Sequence, residues 1–143
     1  MTTREATTRW TGDLNSGSGT VSLDSSGLGE FQVSFPRRTG DPEGQTSPEE
    51  LLAAALSSCM AMNLSGTLQR EGLTAESIDV SAEATFSVGA DGASISGIEL
   101  IVRAALPGVD ADRFAELAQT AKDTCPVGKA LAGTKITLDA ALA

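Results

Sequence analysis

Ser47-Pro48-Glu49-Glu50-Leu51-Leu52-Ala53-Ala54-Ala55-Leu56-Ser57-Ser58-Cys59-Met60-Ala61-Met62 is the stretch on which the reading of this chain turns. Serine, then proline, then a glutamate two positions beyond it supply in order an N-cap, a first helical residue and a capping-box acid. The pattern predicts a helix from Pro48 to about Glu71, stopped at Gly72. Leu51, Leu52, Ala55, Leu56, Cys59, Met62 and Leu64 leave almost no polar face in its first half, and a helix apolar all round is a buried one. Cys59 is therefore expected on a central helix, packed on most sides.

Working outward, the residues before this helix read as short strands. Thr8 to Thr11 carries Trp10, Thr20-Val21-Ser22-Leu23 alternates, Ser25-Ser26-Gly27 is turn chemistry, and Phe31, Val33 and Phe35 alternate again up to Pro36. Residues 36–47 are rich in Pro, Gly and charge and carry the adjacent Arg37 and Arg38; a loop of that length is often functional. Beyond the helix, Ile78, Val80, Ala82, Ala84, Phe86 and Val88 alternate into a Gly89-Ala90-Asp91-Gly92 turn, and Ile98, Leu100, Val102 and Ala104 alternate on the return. Asp110 or Asp112 caps a further helix with Phe114, Leu117, Ala118 and Ala121 on one face. Proline at a first helical position then starts a short helix after Cys125.

Blocks of strands and helices in this order indicate an α+β fold with antiparallel sheets, read as one domain over residues 1–143. Its parts are a β-meander at 1–35, an arginine loop at 36–47, a central helix at 48–71, a β-hairpin at 78–105, a helix at 111–123, a short helix at 126–131 and a final strand at 135–142.

Composition narrows the chemistry. The apolar share is 41% but only 3% is aromatic, so the core must be built from Ala, Leu, Val, Ile and Met, and burial against a second copy would help it. A net charge of −9 without a basic patch argues against nucleic acid and against anionic membranes. The N-terminal residues lack the apolar stretch of a signal peptide, and no apolar run is taken to approach the ~20 residues of a membrane span. A cytoplasmic protein is the expectation. With no histidine and no tyrosine, reactivity must rest on thiols, carboxylates, arginine and lysine. The two cysteines form neither a CxxC motif nor a zinc ligand set, and no cofactor or metal is expected.

A thiol reacts as its thiolate, which a nearby cation or helix N-terminus favours and burial disfavours. Cys125, ahead of Pro126, is placed to feel a helix dipole. Cys59, inside its helix, needs a positive group, and the clustered candidates are Arg37 and Arg38, held by Glu49 or Glu50. Geometry objects: ten positions of straight helix separate Glu49 and Cys59 by about 15 Å and roughly 80° around the axis. The arginine must span that gap, the helix must bend, or a partner chain must contribute. The plainer alternatives are two inert buried thiols, a Glu49 that merely complements the helix dipole, a Glu50 that is Ser47's capping partner, and solvated arginines.

Thr46-Ser47-Pro48-Glu49-Glu50-Leu51, Ser58-Cys59-Met60-Ala61-Met62 and Cys125-Pro126-Val127-Gly128-Lys129-Ala130-Leu131 resemble the osmotically inducible protein C (OsmC) and organic hydroperoxide resistance family. The likeness extends over Trp10-Thr11-Gly12-Asp13-Leu14 and Leu106-Pro107-Gly108-Val109-Asp110-Ala111, and the Cys125 segment is closer to the OsmC branch. The resemblance implies an OsmC-like fold, antiparallel sheets wrapped around a long central helix in an intertwined homodimer. It also implies a thiol peroxidase acting on organic hydroperoxides, with Cys59 oxidised to a sulfenic acid and Cys125 resolving it as a disulfide. Arg38 and Glu49 fall on the family's arginine and glutamate, and the implied reductant is a lipoylated protein or another dithiol. Where many relatives carry a histidine before the first cysteine and an aromatic after it, this chain has Leu56, Ser57 and Met60.

Two readings of other classes stand beside this one. One is a stress-related module that binds an apolar ligand and uses its cysteines only for redox sensing. The other is a thiol–disulfide oxidoreductase acting on small dithiols.

Overall fold

In the computed structural model, which describes residues 1–143, the alternating N-terminal segments form β1 (Thr7–Thr11), β2 (Ser18–Ser22) and β3 (Glu30–Val33). They pair antiparallel in the order β1-β2-β3. Gly19 on the middle strand is held between two neighbours: a Cβ there would come within 2.9 Å of the Trp10 ring and 3.0 Å of the Val33 side chain.

The expected arginine loop is partly helical. Pro36, with its fixed backbone angle, opens the five-residue helix α1 (Phe35–Thr39), which carries both Arg37 and Arg38. The remaining loop is tied back to β3, since the Thr46 amide donates to the Gln32 carbonyl at 3.0 Å and the Ser34 hydroxyl donates to Gln45 at 2.8 Å.

The long helix α2 (Pro48–Arg70) begins as the capping pattern requires, with Ser47 Oγ accepting from the Glu50 amide at 3.1 Å. The reciprocal half differs: the Glu50 carboxylate accepts from the Thr46 hydroxyl at 2.5 Å instead. Gly72, at φ +72°, ends the helix by letting the Leu73 amide reach back to the Leu68 carbonyl at 2.9 Å.

The long hairpin β4 (Ser77–Gly89) and β5 (Gly92–Ala105) follows, antiparallel, with a register shift between Thr85 and Phe86. Then come α3 (Ala111–Thr124), α4 (Pro126–Ala130) and β6 (Ile136–Leu142). The Asp110 carboxylate caps α3 by accepting from the Arg113 amide at 2.8 Å. Here the expected antiparallel pattern is corrected, because β6 pairs with β5 in parallel. The two helices between them form the long crossover that a parallel return requires.

The chain read as one domain divides into two compact units, Met1–Leu51 and Leu52–Ala143. In the second, Leu56, Met60, Leu64 and Leu68 recur one helical turn apart on α2 and join one buried cluster. Its other members include Ile98, Leu100, Val102 and Ala104 of β5 and Phe114, Leu117, Ala118 and Ala121 of α3.

Burial on most sides of α2 does not hold in the single chain. Ala54, Ala55 and Ser58 are exposed, and Met62 is 70% exposed. The physical reason is largely side-chain size, since Leu56, Met60, Leu64 and Leu68 form the buried row and, Met62 apart, the exposed positions of residues 52–65 are Ala and Ser. The expectation about apolar length also needs correcting: α2 is long and apolar enough to cross a membrane by length and composition. Its row of long side chains is instead spent on the cluster of residues 52–143.

Phe114 is the largest of the fully buried side chains. Phe114→Ala should lower stability by about 3–5 kcal/mol through lost transfer energy and an unfilled cavity. Reversible urea unfolding measures this, and a loss below about 1 kcal/mol would show that the cluster is not packed as described.

Candidate active site

Within Met1–Leu51, α1 and the first turn of α2 bring Arg38 and Glu49 together. Arg38 Nε donates to both Glu49 carboxylate oxygens at 3.1 Å, and Nη2 donates to Oε1 at 2.6 Å. Glu49 is only 7% exposed. A carboxylate so withdrawn from water needs a charged, multiply bonded partner, and a planar guanidinium fits that geometry. The choice between the two arginines is thereby made for this carboxylate. Arg37 pairs with the exposed Glu43 at 2.5 Å and donates to the Asp41 carbonyl at 3.3 Å. Likewise Glu49 has an ion partner beyond the helix dipole, while Glu50 serves the helix start.

Within Leu52–Ala143, α2 presents Cys59, half-buried against the core, and the junction of α3 and α4 presents Cys125, 1% exposed. Both are free thiols, and they meet: Cys59 is close enough to be among the groups that shift the Cys125 pKa. Far apart in sequence, they are joined because the α2 row and the buried face of α3 belong to the same cluster.

The expected depression of the Cys125 pKa by a helix N-terminus does not occur. Burial pushes this thiol above its ordinary range, as the largest effect, and the hydrogen bond and charge of Cys59 push the same way. The backbone amides of Gly128 and Val127 at the start of α4 pull downward and are outweighed. A five-residue helix has little dipole to offer a thiol removed from water.

Leu56 and Met60, which stand where relatives of the resembled family carry other residue types, are fully buried core residues. An open depression of about 200 Å³ lies on the β4-β5-β6 sheet, lined by Glu83, Glu99, Lys135 and Thr137 among others and by neither cysteine. One polar residue passed over in the sequence is Asn63, one turn beyond Cys59. Its side-chain amide donates to the Ala121 carbonyl at 2.6 Å and to Thr124 Oγ1 at 2.8 Å. The signal available for it was a lone amide inside an otherwise apolar run.

Residues 40–139 match the family described as OsmC-like protein. The chain is 40% identical over 130 residues to the peroxiredoxin OsmC of Escherichia coli, covering 91% of this chain and 90% of the relative. Among solved structures it is similar to an organic hydroperoxide resistance protein from Elizabethkingia anophelis, at 26% identity and TM-score 0.79, covering 100% of this chain and 98% of the other. It also shares its fold with the organic hydroperoxide resistance protein OhrB of Bacillus subtilis, at 22% identity and TM-score 0.79, covering 97% and 98%.

Because burial is the first cause of the raised Cys125 pKa, it should persist in a Cys59→Ser variant. Titrating that variant by ultraviolet thiolate absorbance should give a midpoint above the ~8.5 of an ordinary cysteine. A midpoint at or below that value would show that the α4 amides dominate.

Proposed function

The chain belongs to the OsmC-like protein family, and on that footing we propose that it is a thiol peroxidase reducing organic hydroperoxides to alcohols in oxidative and osmotic stress. The supporting observation is the meeting of a half-buried Cys59 with a buried Cys125 whose thiol is held protonated. The likeness to a peroxiredoxin that covers nearly the whole chain adds to it.

In the proposed reaction the Cys59 thiolate attacks the terminal oxygen of the hydroperoxide. The O–O bond breaks, an S–O bond forms, and the leaving alkoxide takes a proton to depart as the alcohol. Cys59 is then a sulfenic acid. The Cys125 sulfur attacks Cys59, the S–O bond breaks, water leaves and the disulfide remains. An external dithiol, free or as a lipoyl group on a protein, returns both thiols by exchange and leaves as its own disulfide.

Arg38, held by Glu49, is assigned to stabilise the Cys59 thiolate and the charge developing on the peroxide oxygens. The assignment rests on the chemistry of a clamped guanidinium and on the family motif. The exposed Ala54, Ala55, Ser58 and Met62 of α2 are assigned to contact with a second copy in an intertwined homodimer. The reducing cytoplasm is the compartment in which such a disulfide is transient.

An alkyl or aryl tail gains about 0.8 kcal/mol for each methylene buried. Hydrogen peroxide gains none, so organic hydroperoxides should react faster. The test mixes fully reduced protein with one equivalent of cumene hydroperoxide or hydrogen peroxide and follows intact mass and free thiols. Wild type should form a disulfide, Cys59→Ser should stay reduced, and Cys125→Ser should stop at the sulfenic acid. Arg38→Met and Glu49→Gln should each slow the first step on the order of 10²-fold. Thiols that stay reduced under both peroxides would move the reading to a binding or sensing module, and equal rates for the two peroxides would remove the apolar pocket.

A further inference from the structure

Pro126 disfavours helical backbone at the residue before it, and Cys125 accordingly leaves α3 at φ −62° and ψ 120°. Its amide bonds to the Lys122 carbonyl at 3.2 Å, the tighter pattern of a closing turn. In a continuing helix that amide would have gone to Ala121, so the Ala121 carbonyl, on a fully buried residue, loses that backbone partner where the helix stops, and within α3 the Thr124 hydroxyl reaches it only at 3.5 Å. Asn63 satisfies it from another helix.

The network has only one consistent direction. A carbonyl can only accept, so the Asn63 atom facing Ala121 must be its NH2. The Thr124 hydroxyl donates to the Thr120 carbonyl at 2.8 Å, which leaves its oxygen free to accept the second Asn63 hydrogen at 2.8 Å. One amide thus grips the last turn of α3 at two points, and Cys125 is the next residue along the chain.

Asn63 lies four residues after Cys59, one turn farther on the same face of α2. The amide that holds the end of α3 and the thiol that Cys125 must reach are therefore carried by one rigid element. We infer that Asn63 is a positioning residue for the Cys59–Cys125 disulfide: by holding the C-terminal turn of α3 against α2, it keeps Cys125 within bonding reach of Cys59. A disulfide tolerates only a narrow range of Cα separations, about 4.4–6.8 Å. Fraying of this turn would move Cys125 relative to Cys59, which stays in place on α2. The inference deepens the proposed reaction at its second step and rests on it there, but thiol–disulfide exchange offers a route to the same disulfide that needs no peroxide.

Two variants and two assays test it. Asn63→Asp keeps the size but turns a donor toward the Ala121 carbonyl into an acceptor, and Thr124→Val removes the second anchor at nearly constant shape. In glutathione redox buffers, where no peroxide is involved, the Cys59–Cys125 disulfide of Asn63→Asp should form on the order of ten-fold less favourably than that of wild type, with a smaller change in Thr124→Val. With cumene hydroperoxide, trapping of the Cys59 sulfenic acid should proceed at the wild-type rate. Its conversion to disulfide should slow by a similar ten-fold, with more sulfinic acid accumulating.

A disulfide equilibrium and a condensation rate within two-fold of wild type in Asn63→Asp would overturn the inference. So would equal slowing of both chemical steps together with a lowered melting temperature, which marks general loosening. If wild type ignores peroxide but the glutathione equilibrium shifts as described, the peroxidase reading falls and the positioning role stands.

Discussion

Leu56, Met60, Leu64 and Leu68 follow one another at single-turn spacing on α2, and every one is withdrawn from water into the cluster with β5 and α3. The drive is hydrophobic and cumulative, since each fully buried Leu or Met side chain is worth roughly 1.5–3 kcal/mol over an exposed one. Because this row of long apolar side chains is the one fully withdrawn from water, the rotation of α2 about its axis is set in residues 52–143. Cys59 then sits at the margin of the row, neither sealed in nor free. Placing α3 on the same cluster delivers Cys125 to it.

Burial weighs on Cys125 in particular, and pushes its pKa up. Beside Cys59, withdrawn from water, Cys125 is favoured in its neutral form. In the reaction proposed above that state suits Cys125, since its sulfur is called on only after Cys59 has been oxidised.

The Arg38–Glu49 pair shows the same economy of charge in residues 1–51. Glu49 is too buried to stand alone, and Arg38 meets it through three hydrogen-bond contacts from a short helix that begins at Pro36. Arg37, one residue earlier, points its charge to the exposed Glu43. Adjacent arginines on a helical turn project about 100° apart, so only one can serve a given carboxylate.

Much was legible without coordinates because it is local. The serine cap of α2, the glycine that ends it, the alternation of β4 and β5 and the Asp110 cap each depend on residues a few positions apart. The motifs around Cys59, Cys125, Arg38 and Glu49 were likewise sufficient to single those residues out. What local patterns cannot carry is the outcome of competition between distant parts. The parallel course of β6, the partial exposure of α2, the upward shift of Cys125 and the Asn63 grip on α3 all arise there. Each depends on which surfaces the folded chain removes from water, and that quantity is a property of the packed whole. Residue types and spacing thus nominated two thiols and an ion pair, while tertiary packing decided that the thiols meet and that burial raises the pKa of Cys125.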